Sequence, residues 1–147
     1  MLRILTYPNE HLVAQNRAVE SFDSKLRDLV IDMELVMRRG DGVGLAAPQV
    51  GKNIRMFIIE EALLPGGVVC NPSLVPAPES RTYSAREGCL SFPGLILEIP
   101  RHTEISVEYQ DVDGKIHQVN LDGFAAHVFQ HEVDHINGVL MIDHLTF

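Results

Sequence analysis

The segment from His131 to His135 reads His-Glu-Val-Asp-His and lies in an apolar-periodic stretch near the end of the chain. Residues four apart in an α-helix are rotated by about 400°, so His131 and His135 share one helix face, one turn apart. Two imidazoles placed in this way can hold one metal ion, and Glu132 can reach a water or a substrate group on it. The pattern therefore predicts a helix that directs a polar face at a site. The alternative is a solvated helix face with stray histidines, and a third ligand would decide between the two.

Length and composition predict one globular domain, residues 1–147, with a sizeable core. The net charge of −8 argues against a nucleic-acid partner or an anionic membrane surface, because both need clustered Lys and Arg. No apolar run approaches the length of a transmembrane helix, and Pro8 and Glu10 interrupt the stretch that a signal peptide would need. Two cysteines, Cys70 and Cys89, are too few for a disulfide framework, so we expect a cytoplasmic protein.

Hydrophobic spacing predicts one helix over residues 24–38 and a second over residues 123–136, with Asp122 as its N-cap. Between them, short apolar or alternating runs predict strands, and the hairpin among them turns at Asp111-Val-Asp-Gly114. These strands cover residues 55–60, 95–99, 102–110 and 115–121. Helices and mostly antiparallel strands are segregated along the chain, which indicates the α+β class.

Two further segments carry residue types that suit chemistry. The loop Gly42-Val-Gly-Leu-Ala-Ala-Pro-Gln49 has small side chains that let the main chain approach a ligand, and the Gln49 amide can donate to an oxyanion. Its glycine spacing fails the dinucleotide pattern, so a nucleotide site is a weak interpretation. In Glu87-Gly-Cys-Leu-Ser91, Cys89 is a buried hydrophobe, a nucleophile or a thiolate ligand. Cys70 has no comparable setting, and we expect it to be structural.

The three segments GVGLAAPQ, EGCLS and HEVDH, in this order, resemble the three motifs of the peptide deformylases. These bacterial-type enzymes remove the formyl group from N-formylmethionyl peptides. The likeness covers essentially the whole chain. It implies mixed, mostly antiparallel sheets packed around a central C-terminal helix that carries the His-Glu-x-x-His motif, with another helix near the N-terminus.

The resemblance also implies a set of site residues. Cys89, His131 and His135 would be the protein ligands of one divalent ion, with a water in the fourth position acting as the nucleophile. In the family the ion is usually Fe²⁺, with Zn²⁺, Ni²⁺ or Co²⁺ found in isolated protein. Glu132 would act as general base and then acid, while the Gln49 amide and the Leu90 main-chain N–H stabilise the oxyanion. Main-chain groups that pair the extended substrate are expected at Val43, Gly44 and Gly88.

His127 departs from the pattern, because the resemblance leads us to expect an aliphatic residue beside the methionine pocket at this position. Our hypothesis is that His127 makes the pocket more polar or narrower, whereas Phe124 is an ordinary apolar lining residue. We also predict a structural ion pair between Glu87 and Arg101 beneath the Cys89 segment. The remaining histidines, which lack partners at ligand spacing, are expected at the surface: His11, His102, His117 and His144.

Only 12 residues follow His135, so we expect no counterpart of the charged C-terminal helix that many bacterial members carry. Nascent chains on the ribosome remain the expected source of substrate, although docking without that helix is doubtful, and we expect a monomer. Two other functions stay open. One is a metallopeptidase of ordinary peptide bonds, and the other is a non-catalytic domain in which Cys70 or His127 completes a structural metal site.

Overall fold

The computed structural model describes residues 2–145, and within them two helices and seven strands follow one another along the chain. The helices are α1 (Ser24–Arg39) and α2 (Gly123–Ile136). The strands are β1 (Gly44–Ala46), β2 (Met56–Ile59), β3 (Val68–Pro76), β4 (Thr82–Cys89), β5 (Phe92–His102), β6 (Glu104–Gln110) and β7 (Ile116–Asp122). No helix in this part of the chain is long and apolar enough to cross a membrane.

The predicted α+β class is confirmed. Strands β1, β2, β3, β6 and β7 form one antiparallel sheet in that order, and β4 and β5 form a separate hairpin. All four residues of β2 are buried, because the strand lies between two apolar layers. Met56 and Ile58 pack in the cluster that contains α1, whereas Phe57 and Ile59 pack in the cluster that contains α2. The sheet therefore holds α2 against its second face.

Helix α1 matches its predicted bounds to within one residue. The Asp23 side chain accepts a hydrogen bond from the Leu26 main-chain N–H at 3.1 Å, which satisfies a donor that the first turn leaves free. Gly40 ends the helix, and its N–H returns to the carbonyl of Val36. The apolar stripe of α1, which includes Met33 and Met37, is buried in the core, so the spacing of these residues determines which face packs.

The hairpin of β6 and β7 also forms as predicted, with Ile105, Val107 and Tyr109 buried on one face. On the opposite strand, β7, Val119 and Leu121 pack against the core, whereas Ile116 is 61% exposed.

Two expectations about the elements are confirmed only in part. The strand predicted at residues 95–99 forms, but it is the middle of the much longer β5, whose partner β4 has too few apolar residues to show a clear alternation. Asp122 stands at the start of α2, but its side chain makes no capping hydrogen bond. Asp122 is also the last residue of β7, where it pairs with Glu104, and the strand sets its backbone.

Candidate metal centre and substrate cavity

Cys89 lies at the end of β4, where the pairing with β5 is interrupted. Glu87 pairs with Leu97, but Cys89 pairs with Phe92, so the register skips Gly88 and residues 93–96 bulge away. A bulge of this kind leaves main-chain groups outside the ladder and redirects the strand. It brings the Cys89 side chain to the face of α2 that carries the two histidines.

The thiol of Cys89 and the two imidazoles converge on one point. The Cys89 Sγ lies 3.3 Å from His135 Nε2, which lies 3.2 Å from His131 Nε2, and all three atoms are within 4.8 Å of one another. A tetrahedral ion bound at about 2.0–2.3 Å would separate such ligand atoms by about 3.3–3.6 Å. The donor set therefore fits one divalent metal ion. His135 Nδ1, on the far side of that ring, is buried and has no partner among the described residues.

The surroundings of the histidines favour a cation. Burial alone would lower the pKa of His131, but its hydrogen bonds to Cys89 and Glu87, with the charge of Glu132, raise it to about 10. Positive charge is thus stabilised where a metal ion would replace that proton. Burial, together with the nearby charges of His131 and Arg101, holds the pKa of His135 well below its usual range, which keeps this imidazole neutral as a ligand must be.

Glu87 holds His131 in place from behind. His131 Nδ1–H donates to Glu87 Oε1 at 2.7 Å, so the Nε2 lone pair points at the metal position. Arg101 donates to the same carboxylate from Nε and Nη2, at 2.5 and 2.8 Å, which confirms the predicted ion pair. Burial would raise the pKa of Glu87, but the bonds from Arg101, His127 and His131 outweigh it and hold this pKa far below its usual range.

The buried network extends further than the sequence suggested. Arg101 Nη1 donates to Asp134 at 2.7 Å, and His144 Nε2 bonds the same Asp134 oxygen at 2.8 Å. His144 is therefore half-buried and paired, contrary to the surface position expected for it. His11 and His117 are also half-buried and bonded, His11 to Asn53 from a distant part of the chain and His117 to Asp111 at the start of the same hairpin turn. His102, also expected at the surface, is half-buried as well.

Glu132 is the buried acid of the site, with only 2% of its surface exposed. Its Oε2 atom has no hydrogen-bond partner among the described residues, although buried carboxylate oxygens are nearly always bonded. Burial raises the pKa of Glu132 to about 7, a value that suits a group which both accepts and donates protons, and a bound cation would lower it again. A Cβ on Gly44 would lie 2.8 Å from Glu132 Oε1, so any side chain there would displace the Glu132 carboxylate.

The predicted oxyanion donors lie beside this group. Gln49 is 2% exposed, and its Oε1 accepts from the Ala46 main-chain N–H at 2.9 Å, which fixes the amide. Its Nε2 donates to Ser91 Oγ at 3.1 Å and lies 3.6 Å from Cys89 Sγ. Nothing in the sequence singled out Ser91 or Ala46, because each acts only through the Gln49 side chain.

A cavity of about 470 Å³ opens over these residues. It brings together the remaining predicted positions, which are Val43, Gly44, Gly88, Leu90, Phe124 and His127. Phe124 is 55% exposed at the rim. His127 lines the wall, but both of its nitrogens are used: Nε2 lies 2.9 Å from Glu87 Oε2, and Nδ1 lies 3.3 Å from the Tyr83 hydroxyl. The imidazole thus presents ring carbon atoms to the cavity.

A four-ligand structural metal site is not favoured. Within residues 2–145 the metal-compatible group consists of Cys89, His131 and His135 alone. Cys70 is fully buried in the core cluster around α1, and His127 is held by Glu87 and Tyr83. The three-residue set leaves a coordination position open, as in catalytic sites.

The two thiols should differ sharply in reactivity. Burial, with the nearby charge of Asp111, raises the pKa of Cys70 to about 12, whereas Cys89 lines the cavity. We expect chelator-treated native protein at pH 8 to react rapidly with an aromatic disulfide reagent at one thiol, and denatured protein at two. Cys89→Ser should abolish the rapid phase and Cys70→Ser should leave it intact. Two rapid thiols in the native protein would contradict this assignment.

Comparison with known proteins agrees with the motifs. The family model described as polypeptide deformylase matches residues 1–147. Peptide deformylase from Thermotoga maritima is 42% identical over 146 residues, covering 99% of this chain and 88% of that protein. A crystal structure of peptide deformylase from Thermotoga maritima superimposes with a TM-score of 0.90 and covers 100% of this chain and 99% of that one.

A plant relative is longer. The chloroplastic peptide deformylase 1B of Oryza sativa is 39% identical over 149 residues, covering 99% of this chain but 55% of that protein. The chain thus spans about half the length of this relative. A peptide deformylase of Plasmodium falciparum in complex with an inhibitor superimposes with a TM-score of 0.87 at 35% identity, covering 97% and 88% of the two chains. From its motifs, its fold and these matches, the chain belongs to the polypeptide deformylase family.

Proposed function

We propose that this chain removes the N-formyl group from N-formylmethionyl peptides and releases formate and a free amino terminus. One observation carries the proposal: the thiol and two imidazoles converge beside a buried carboxylate, Glu132, whose Oε2 atom has no hydrogen-bond partner among the described residues. A polar group buried in this way is costly unless a water or substrate group bonds to it. The arrangement therefore suits hydrolysis next to a metal ion.

The ion would be held by Cys89 Sγ and the Nε2 atoms of His131 and His135. When bound, it supplies Lewis acidity, which polarises a carbonyl and makes a water more acidic near neutral pH. Thiolate and imidazole ligands suit several divalent ions, including Fe²⁺, Zn²⁺, Ni²⁺ and Co²⁺. Fe²⁺ is our proposal for the ion in the cell, in line with the family resemblance, and it would make the site sensitive to oxygen through Cys89.

Glu132 is the group that moves the proton. As water adds to the formyl carbon, the Glu132 carboxylate accepts its proton, and it then delivers this proton to the amide nitrogen as the carbon–nitrogen bond breaks. Charge that develops on the formyl oxygen would be stabilised by the Gln49 Nε2–H and the Leu90 main-chain N–H. One such donor typically contributes about 3–4 kcal/mol to the transition state. Because Gln49 is fixed by Ala46, its amide needs no reorganisation.

The substrate backbone would lie between two incomplete strand edges. β1 is the edge strand of the larger sheet, so one side of Val43 and Gly44 is free of strand pairing. Gly88, across the cavity, is skipped by the register of β4 and β5. An extended peptide pairs readily with exposed strand edges through its main chain. Gly44 permits the close approach to Glu132 that this position requires.

The methionine side chain would lie against Phe124 and His127. Because both His127 nitrogens are bonded, we infer a flat ring wall, suited to contact with the thioether sulfur. We expect His127→Ile to raise KM for formyl-methionyl peptides by about two- to tenfold, since sulfur–ring contacts are worth about 0.3–1.5 kcal/mol. The formyl-norleucyl peptide, which has no sulfur, is the matched control. Unchanged turnover and unchanged inhibitor affinity would contradict any role for His127 in this pocket.

The decisive assay is formate release from formyl-Met-Ala-Ser by protein prepared without oxygen and loaded with Fe²⁺ or Ni²⁺. We expect formate from this peptide and no acetate from acetyl-Met-Ala-Ser, whose extra methyl group must fit where the formyl hydrogen lies. Cleavage of internal bonds in an unblocked peptide would favour the metallopeptidase alternative. Metal-loaded protein that releases no formate would overturn the proposal.

A further inference from the structure

Arg86 is a cation at the cavity rim that has no partner among the described residues. Its side chain lines the cavity, and no hydrogen bond or ion pair to it is formed within residues 2–145. Directly across the hairpin its strand partner is Glu98, yet no Glu98 oxygen lies within 4.0 Å of the guanidinium. In a chain with a net charge of −8, an unpaired cation beside the site is a specific feature.

The adjacent Glu87 does not neutralise Arg86. Successive side chains of a strand point to opposite faces, and Glu87 points into the core, where Arg101, His127 and His131 occupy both of its oxygens. Arg86 and Gly88 share the other face of β4. The positive charge of Arg86 therefore remains available to whatever lies along this face.

The direction of the proposed substrate brings its later residues to Arg86. The formyl group has to lie at Cys89 and Glu132, and the following backbone would pair beside Gly88. From there the peptide runs antiparallel to β4, away from Cys89. Arg86 and Gly88 are two residues apart, which is a distance of about 6.6 Å along an extended strand. A substrate side chain beyond the one at Gly88 would therefore face Arg86.

We propose that Arg86 is a specificity-determining residue, which favours substrates with an Asp or Glu side chain among the residues that follow formylmethionine. This inference rests on the proposed deformylase function. The preference would come from the pairing of side chains across neighbouring strands, where opposite charges are stabilising and like charges are destabilising. The guanidinium is exposed, so the effect should be moderate and should weaken as salt screens it.

The test uses formyl-methionyl peptides with an amidated C-terminus, carrying Glu, Gln or Lys in turn at positions 2, 3 and 4. At one position or more, we expect kcat/KM of the metal-loaded wild type to fall by about two- to fivefold from Glu to Gln and again to Lys, as for exposed ion pairs. Arg86→Gln should equalise the three peptides, and Arg86→Glu should reverse their order. Lys115→Gln removes the same charge from the distant β6–β7 turn and should keep the wild-type preference.

The outcomes distinguish the inference about Arg86 from the proposed deformylase function. Equal values for Glu and Lys peptides at every position overturn the inference about Arg86 and leave the proposed function intact. A Glu preference that persists in Arg86→Gln, or that 0.5 M NaCl does not reduce, also overturns it. No formate from any peptide, the Gln series included, overturns the proposed function and this inference with it.

Discussion

Replacing Glu132 with glutamine is expected to lower kcat for formate release by about 10²- to 10⁴-fold, the usual contribution of a general base. The two side chains have nearly the same shape, but the amide accepts no proton at neutral pH. Glu132 is outside the group formed by Cys89, His131 and His135, so the variant should still bind one equivalent of metal. Formate release should therefore fall while the metal content stays the same, and both can be measured on one preparation.

The matched control for this experiment is Glu61→Gln, which makes the same chemical change at an exposed position. It should keep wild-type kcat. A Glu132→Gln protein that retains more than a tenth of the wild-type kcat with full metal content would exclude Glu132 as the proton carrier. Loss of metal in the variant would instead assign Glu132 to the binding of the ion.

Replacing Glu87 with glutamine should weaken both folding and metal binding. The carboxylate accepts hydrogen bonds from Arg101, His127 and His131 in the buried interior. Breaking a buried charge pair from one side costs about 3–5 kcal/mol, because the partner charge stays buried without its counter-ion. Loss of the carboxylate that orients a ligating imidazole typically reduces metal affinity by about 10- to 100-fold. Urea unfolding and competition with a chelator measure the two effects.

An exposed ion pair provides the comparison. Arg27 and Asp113 lie 3.4 Å apart with side chains 51% and 73% exposed, and pairs of this kind contribute less than about 1 kcal/mol. Asp113→Asn should therefore leave the free energy of unfolding and the metal affinity nearly unchanged. If Glu87→Gln had an equally small effect on both quantities, the buried network would have no role in positioning His131.

Local patterns predicted the elements whose signals are local. The stripe of α1, the alternation of β6 and the i, i+4 histidines of α2 each depend on a few neighbouring residues, and these elements form where expected. β4 gave no such signal, because its inward side chains include Ala85 and Glu87, and Glu87 is buried only through partners far along the chain. β1, with three residues, is too short for periodicity to detect.

The site was predicted unevenly for the same reason. The spacing of His131 and His135 indicated a metal site, but nothing in the spacing alone joined them to Cys89, which required the family resemblance. The role of Asp134 was missed although it lies inside the motif, since its partners Arg101 and His144 come from other elements. His127 was noticed as a departure from the pattern, but its bond to Glu87 connects residues 40 positions apart and follows only from the fold.

The gap between β1 and Gly88 has a further consequence. The five-stranded sheet ends at β1, and the β4–β5 hairpin faces it across the cavity with its ladder interrupted. A peptide in the proposed pose would supply the strand that lies between them, so that a single sheet would run from β7 to β5. The substrate would then act briefly as a structural element of its own enzyme. Release of the product would then remove a strand from this sheet and break the main-chain hydrogen bonds that held it.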